Sequence, residues 1–187
     1  MLAYLQGLSL GLAYVAPIGV QNLFVINAGL SQPRAAAYRT ALIVIFFDVT
    51  LALAGFFGIG ALIEHSELIR KGVLLAGSLV VMYMGLRLML SREVAGPAIN
   101  VNIPLMKTIG MACVVTWFNP QAIIDGTMML GAFRASLPEG GDLPFICGFG
   151  SASALWFLTL STVVSLLGSR FNEKILNVIN KVCGGVI

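Results

Sequence analysis

The sequence predicts an all-α polytopic membrane protein: six transmembrane helices forming two inverted three-helix repeats, with helices 1 and 4 broken at proline and the last helix truncated. Three observations predict it. The composition is too apolar to coat a water-facing surface, the apolar runs have membrane-spanning length, and the first run of each half carries a proline break. Of 187 residues, 58% are apolar and 10% charged, and the mean hydropathy is +0.96, whereas a soluble domain carries roughly 25% charged residues. Eleven Lys and Arg against eight Asp and Glu leave a net charge of +3 with no basic run, which excludes a nucleic-acid binder. Cys113, Cys147 and Cys183 each stand alone within or beside an apolar stretch, which excludes a disulfide-stapled secreted domain.

A span needs about 20 predominantly apolar residues. Five such runs extend from Leu2 to Gly29, Thr40 to Ile63, Val73 to Leu90, Leu105 to Phe133 and Pro144 to Gly168. A sixth begins near Ile175 and leaves Val182 to Ile187 as an apolar end too short to span, so the native chain is expected to continue beyond Ile187. Met1 to Leu12 has no basic n-region and its apolar stretch outruns a signal-peptide core, so the first run reads as a span rather than a cleaved leader. The separators are polar or turn-forming: Ser31-Gln32-Pro33-Arg34, Glu64 to Lys71, Ser91 to Pro104 and Pro138-Glu139-Gly140-Gly141-Asp142. A single transmembrane domain over 1–187 is expected, with repeat one about 1–92 and repeat two about 104–187 and incomplete.

The cations give the orientation. Eight fall in the odd connections (Arg34, Arg39, Arg87, Arg92, Lys107, Arg170, Lys174, Lys181) and three in the even ones (Arg70, Lys71, Arg134). Since Lys and Arg accumulate in cytoplasmic loops, the odd connections are expected inside and the N-terminus outside.

Within apolar spans the informative residues are those that are expensive to insert. Asp48 lies nine residues after Arg39, and Asp125 nine before Arg134. At 1.5 Å per residue each carboxyl sits roughly 13 Å from a helix end, near the middle of the bilayer. An aspartate there costs about 2.5–3.5 kcal/mol on insertion scales, so each should face a partner or a watery cavity. A protonated Asp hydrogen-bonded inside the bundle is the plainer reading for one of them alone. Arg87 and Lys107 lie near span ends, where long side chains reach the headgroups. The lone His65, between Glu64 and Ser66 in a connection, argues for neither a metal nor a base. Gly7-xxx-Gly11 and Gly55, Gly58 and Gly60 are spaced for close helix approach, and Trp117 and Trp156 read as packing or interfacial anchors.

The first run is interrupted by Ala16-Pro17-Ile18-Gly19-Val20-Gln21-Asn22 and the fourth by Trp117-Phe118-Asn119-Pro120-Gln121. Proline removes a donor and clashes one turn back, so both helices should kink or open, with Pro17, Gly19 and Pro120 as the structural break residues. Freed backbone at that depth is tolerated only where protein or a water-filled cavity satisfies it, a role suited to the neighbouring amides. Runs one and four each begin a three-span half, and an odd number of spans makes the halves inverted, a transporter plan whose interrupted helices mark the binding site. Asn22 falls five residues after Pro17 and Asp125 five after Pro120, while Asp48 and Ser151 each fall 31 after the corresponding proline.

Gln6-Gly7-Leu8-Ser9-Leu10-Gly11, Pro17-Ile18-Gly19-Val20-Gln21-Asn22, Asp48 and Val115-Thr116-Trp117-Phe118-Asn119-Pro120-Gln121-Ala122-Ile123-Ile124-Asp125 resemble the LysE/ArgO family of bacterial basic amino-acid exporters. The likeness extends through Ser151-Ala152-Ser153-Ala154-Leu155-Trp156 and Ile179-Asn180. It implies six transmembrane helices in a bacterial cytoplasmic (inner) membrane, export of L-lysine or L-arginine, and a pair of aspartates needed for transport, falling on Asp48 and Asp125. The family often has proline where this chain has Val20 and histidine where it has Gln121. The superfamily also includes thiol-disulfide relay proteins, whose chemistry needs a reactive cysteine pair that the spacing here does not offer.

The expected function is secondary export of a cationic amino acid in exchange for protons, by a transporter rather than an enzyme and without cofactor. Moving one positive charge out of a negative cell costs about 2.3 kcal/mol per 100 mV, which exchange for an inbound proton removes. Asp48 and Asp125 would serve as substrate-binding or proton-coupling groups, and Gln21, Asn22, Asn119 and Gln121 would hold the substrate's α-amino and carboxylate groups. Export of a neutral amino acid or of a metal cation on the same scaffold is the alternative. The metal is disfavoured by the absence of intramembrane histidine, and the neutral substrate by two carboxyls. The partners implied are the amino acid, the proton and the bilayer, with no nucleic acid, and a homo-oligomer is left open.

Overall fold

The structure is a computed structural model, and it describes residues 1–17, 19–58 and 103–167 together with Lys71, Leu75, Leu79 and Met82. Among the described residues every regular element is a helix: α1 (Leu2–Val15), α2 (Val20–Ser31), α3 (Arg34–Phe56), α4 (Leu105–Trp117), α5 (Pro120–Ser136) and α6 (Asp142–Leu167). Of the expected third span only Leu75, Leu79 and Met82 are described, and the expected sixth span lies outside the described residues, as do Ile18 and the side chains of Pro120, Gln121 and Asp125.

By length and apolarity α3 and α6 can each cross a membrane, and α1 with α2, bent by 75° at the break, are together long and apolar enough for a third crossing if they form one span. This is a helical membrane protein. The fourth expected run is also divided: α4 is apolar but too short to span alone, and α5 continues the chain after Phe118 and Asn119.

Prolines set the helix starts. Pro33 and Pro104 immediately precede α3 and α4, and Pro120 is the first residue of α5, where a missing N–H leaves no helical bond unmade. The turn before α6 closes through Gly141 N–H to the Pro138 carbonyl at 2.9 Å. Gly140 takes the positive φ of 75° that this turn requires.

The core lies on one stripe of each helix. In α3, Ala37, Ala41, Val44, Asp48, Leu51 and Gly55 are buried, alternating three and four residues apart, while Leu42, Phe46 and Phe57 are exposed, as suits a helix facing lipid on one side. Asp48 therefore belongs to the packed stripe and not to the lipid side.

Side-chain contacts fix the directions of the helices. Arg134 near the end of α5 donates from Nη1 to the Phe56 carbonyl at 3.1 Å, so the end of α5 meets the end of α3. The Tyr38 and Thr162 hydroxyls lie 2.8 Å apart, which pairs the start of α3 with the end of α6. Thus α6 runs antiparallel to α3, while α4 and α5 run with α3, from Ala112 beside Ala41 and Val44 to Ala122 beside Leu51. In contrast, α1 runs with α6: Gly7 meets Phe145, and Gly11 meets Phe149 and Ala152. The two broken runs consequently cross in opposite directions.

The α1–α6 contact is backbone against backbone. A Cβ on Gly7 would overlap the Phe145 carbonyl, and one on Gly148 the Tyr4 carbonyl. The small-residue spacing read from the sequence here lets two helices approach closely enough for their main chains to touch.

Where α3 ends, Phe56 stacks on Phe145 with centroids 5.6 Å apart, and Phe133 packs on the far side of Phe145 at 5.9 Å. The Arg134 guanidinium lies 5.3 Å from the Phe56 ring centroid and 5.0 Å from that of Phe57. It thus offers charge and a donor to the negative end of α3. Its contact with Asp142, 3.7 Å in a half-exposed pair, adds little. Arg134→Met, which keeps the stem and removes the guanidinium, is expected to cost roughly 1–2 kcal/mol and to lower the thermal midpoint of the detergent-solubilised protein by roughly 2–8 °C. An unchanged midpoint would show that the guanidinium does not hold this corner.

Candidate functional site

Three helices converge on Asp48, whose side chain is 1% exposed. Ser153 of α6 donates its hydroxyl to Oδ2 at 2.6 Å, and Gln21 of α2 donates Nε2 to Oδ1 at 3.3 Å. Both donors are buried. Asp48 is reached from α2 because the break turns the first run by 75° and starts a new helix at Val20, which puts Gln21 in its first turn. An aspartate on the apolar stripe of a straight span thus finds its partners on a helix start and on the antiparallel α6.

The break is closed by Asn22. Its Nδ2 donates to the carbonyls of Val15 at 3.0 Å and Pro17 at 2.7 Å, two acceptors left by the end of α1. Its Oδ1 accepts the indole N–H of Trp156 at 2.8 Å. Both the donor and the acceptor end of this amide are therefore engaged by the protein. Gly19 is extended, with φ −119° and ψ −173°, and its carbonyl accepts Leu23 N–H at 3.1 Å. Pro17 is exposed and contributes its carbonyl.

The second break lies against the first. The Tyr14 hydroxyl, from the end of α1, donates to the Ala122 carbonyl in the first turn of α5 at 3.0 Å, and a Cβ on Gly126 would sit 3.3 Å from the same oxygen. Trp117, the last residue of α4, donates its indole N–H to Thr50 Oγ1 at 3.3 Å, two residues along α3 from Asp48. Asn119 is half-buried, and its carbonyl accepts Ile123 N–H at 3.1 Å, opening α5. Both breaks therefore border the middle of α3.

Among the sequence-predicted residues, Asp48 and Gln21 meet directly, and Asn22 is the neighbour of Gln21 at the break. Asn119, Pro120 and Gln121 fall at the start of α5, and Asp125 falls in its second turn, one residue before the buried Gly126. The side chains of Gln121 and Asp125 lie outside the described residues.

Ser153, Trp156, Tyr14 and Thr50 were missed as site residues. Ser151, the residue in register with Asp48, is not the partner: its hydroxyl donates to the Cys147 carbonyl of its own helix at 2.7 Å, and Ser153, two residues on, takes that place. The signal available was the pair Ser153 and Trp156, three apart and hence on one helical face. Among the described residues no group of three His, Cys, Asp or Glu side chains comes together.

A family described as LysE type translocator matches residues 12–187. The chain is 32% identical to the arginine exporter protein ArgO of Escherichia coli strain K12 over 98% of its own length and 89% of the relative's. It is 30% identical to the protein of the same name from Pectobacterium atrosepticum, over 98% of this chain and 92% of that one. No solved structure matches.

Proposed function

The chain belongs to the LysE type translocator family, and on that premise we propose that it exports arginine across a bacterial cytoplasmic membrane in exchange for protons. Lysine, of the same charge and somewhat smaller, is the alternative cationic substrate. The observation that carries the reading is the buried Asp48 carboxylate, held between α2, α3 and α6 beside a helix break. A carboxylate in that position can hold either a guanidinium or a proton, and the alternation of the two gives exchange without net charge movement. The chain's similarity to arginine exporters, matched over nearly their whole length, favours arginine.

Asp125 is proposed as the second carboxyl of the site, with Gln21, Asn119 and Gln121 as ligands of the substrate's α-amino and carboxylate groups. For Asn22 the role is closure of the break, because its amide is already taken up by Val15, Pro17 and Trp156.

The proposed architecture is six spans in two inverted repeats, about 1–92 and about 104–187, forming one domain with the N-terminus outside. The opposite directions of the two broken runs and the antiparallel meeting of α3 with α6 at Asp48 and Ser153 support the inversion of the halves; the placing of the N-terminus rests on the distribution of Lys and Arg alone.

Purified protein in liposomes should release internal arginine when an inward proton gradient is imposed. The rate should respond to the pH gradient and be nearly indifferent to membrane potential. Arginine should also stabilise the detergent-solubilised protein by about 2.7 kcal/mol at 100 times its Kd, with lysine next and neutral amino acids or divalent metals without effect. Stabilisation by a neutral amino acid alone would overturn the cationic reading. Asp125→Asn is expected to lower efflux at least about tenfold at unchanged insertion, for loss of an unscreened charge at mid-membrane; wild-type efflux would remove Asp125 from the site.

A further inference from the structure

Hydrogen bonds around Asp48 and the first break form a closed circuit. From α6, Ser153 reaches Asp48, and Trp156, three residues later on the same face, reaches Asn22. On the other side Gln21 reaches Asp48, and Gln21 and Asn22 are consecutive. One face of α6 therefore holds both the carboxylate and the amide that closes the break. The contacts are unequal. Ser153 and Trp156 lie at 2.6 and 2.8 Å from their acceptors, while Gln21 stands 3.3 Å from Asp48, the weakest member by geometry.

We propose that Trp156 is a positioning residue for export: its indole N–H sets the Asn22 amide, and through it the shape of the break, so that a cation displacing Gln21 from Asp48 is felt by the opening of the helix. The inference rests on the export reading above. A cation arriving at Asp48 competes with the longer Gln21 contact and leaves the Ser153 contact in place. Movement of Gln21 draws on Asn22, which Trp156 retains at one end and the Val15 and Pro17 carbonyls at the other. Without the indole N–H, the Asn22 amide can rotate and the carbonyls lose a fixed donor. Substrate still binds at Asp48, but binding no longer has a single break geometry to act on.

The test uses full-length protein in liposomes, with efflux of labelled arginine measured per inserted protein. Trp156→Phe keeps an aromatic ring and removes the N–H. Its maximal rate should fall about tenfold while KM changes less than about threefold, the pattern of a step after binding. A merely structural role would lower the amount inserted and leave both constants of the surviving protein as in wild type. In a double-mutant cycle, Asn22→Ala with Trp156→Phe should be no slower than Asn22→Ala alone, because the tryptophan acts through the amide. Multiplying losses would overturn the proposal. If Trp156→Phe inserts poorly, β-(3-benzothienyl)alanine at position 156, which replaces N–H by sulfur in the same outline, gives the same readout. Asp48→Asn, run alongside, separates the two claims. Wild-type efflux from Asp48→Asn overturns the export reading and this inference together. Loss in Asp48→Asn with full-rate efflux from Trp156→Phe overturns this inference alone.

Discussion

Asp48→Asn is expected to reduce arginine efflux at least about 100-fold while the protein still inserts and folds. Asparagine has the same outline and retains a carbonyl oxygen for the Ser153 hydroxyl, so the junction of α2, α3 and α6 keeps its packing. What is lost is the charge. Removing one member of a buried ion pair costs about 3–5 kcal/mol because the other charge is left unsatisfied, which is two orders of magnitude or more in transport rate. The same substitution removes the site's capacity to bind and release a proton, so residual efflux should no longer follow the pH gradient. Efflux from reconstituted protein, compared at equal amounts of inserted protein, checks it. Wild-type rates would mean that Asp48 is a protonated packing residue with its two donors and no more.

Gly148→Leu should abolish folding rather than transport. At this position a Cβ would overlap the Tyr4 carbonyl and approach the Leu8 amide nitrogen to 2.9 Å. The obstacle is main chain, which cannot swing aside as a side chain does. Overpacking ordinarily costs about 1–3 kcal/mol, and the upper end or more applies where the helices themselves must separate. The yield of monodisperse, detergent-stable protein should fall at least about tenfold. By contrast, nothing among the described residues lies within 4 Å of a Cβ on Gly110, so Gly110→Ala should be neutral or stabilise by up to about 1 kcal/mol through helix propensity. Equal yields for the two variants would refute the close α1–α6 contact.

The helical class, the two proline breaks and the need of Asp48 for polar partners were legible because each rests on a local signal: run length, a missing donor, a charge in an apolar setting. The direction of close approach was half legible. Gly7 and Gly11 advertised a small face, but only the structure names Gly148 of α6 as its counterpart, since the pairing of distant helices leaves no trace in either alone. The partners of Asp48 were less legible still. Serine in an apolar helix can bond to its own backbone, and Ser151 does so while Ser153 does not. Nothing local separates the two. Register counted from Pro120 matched Ser151 to the position of Asp48, and the hydroxyl that reaches Asp48 is that of Ser153, two residues on. Trp156 read as an anchor because an indole in an apolar span usually is one; its hydrogen-bond partner is an amide 134 residues away.

The meshed contact of α1 with α6 also bears on how such a protein could move. Two helices whose main chains touch at Gly7, Gly11 and Gly148 cannot slide past each other without unmeshing. They form a stator. A swing of α2 on the extended residue Gly19, beyond the 75° elbow, would leave this pair meshed. Elbow and stator meet at Asn22 and Trp156, so the proposed cargo site, with Gln21 on α2 and Asp48 on α3, sits at the bearing between them.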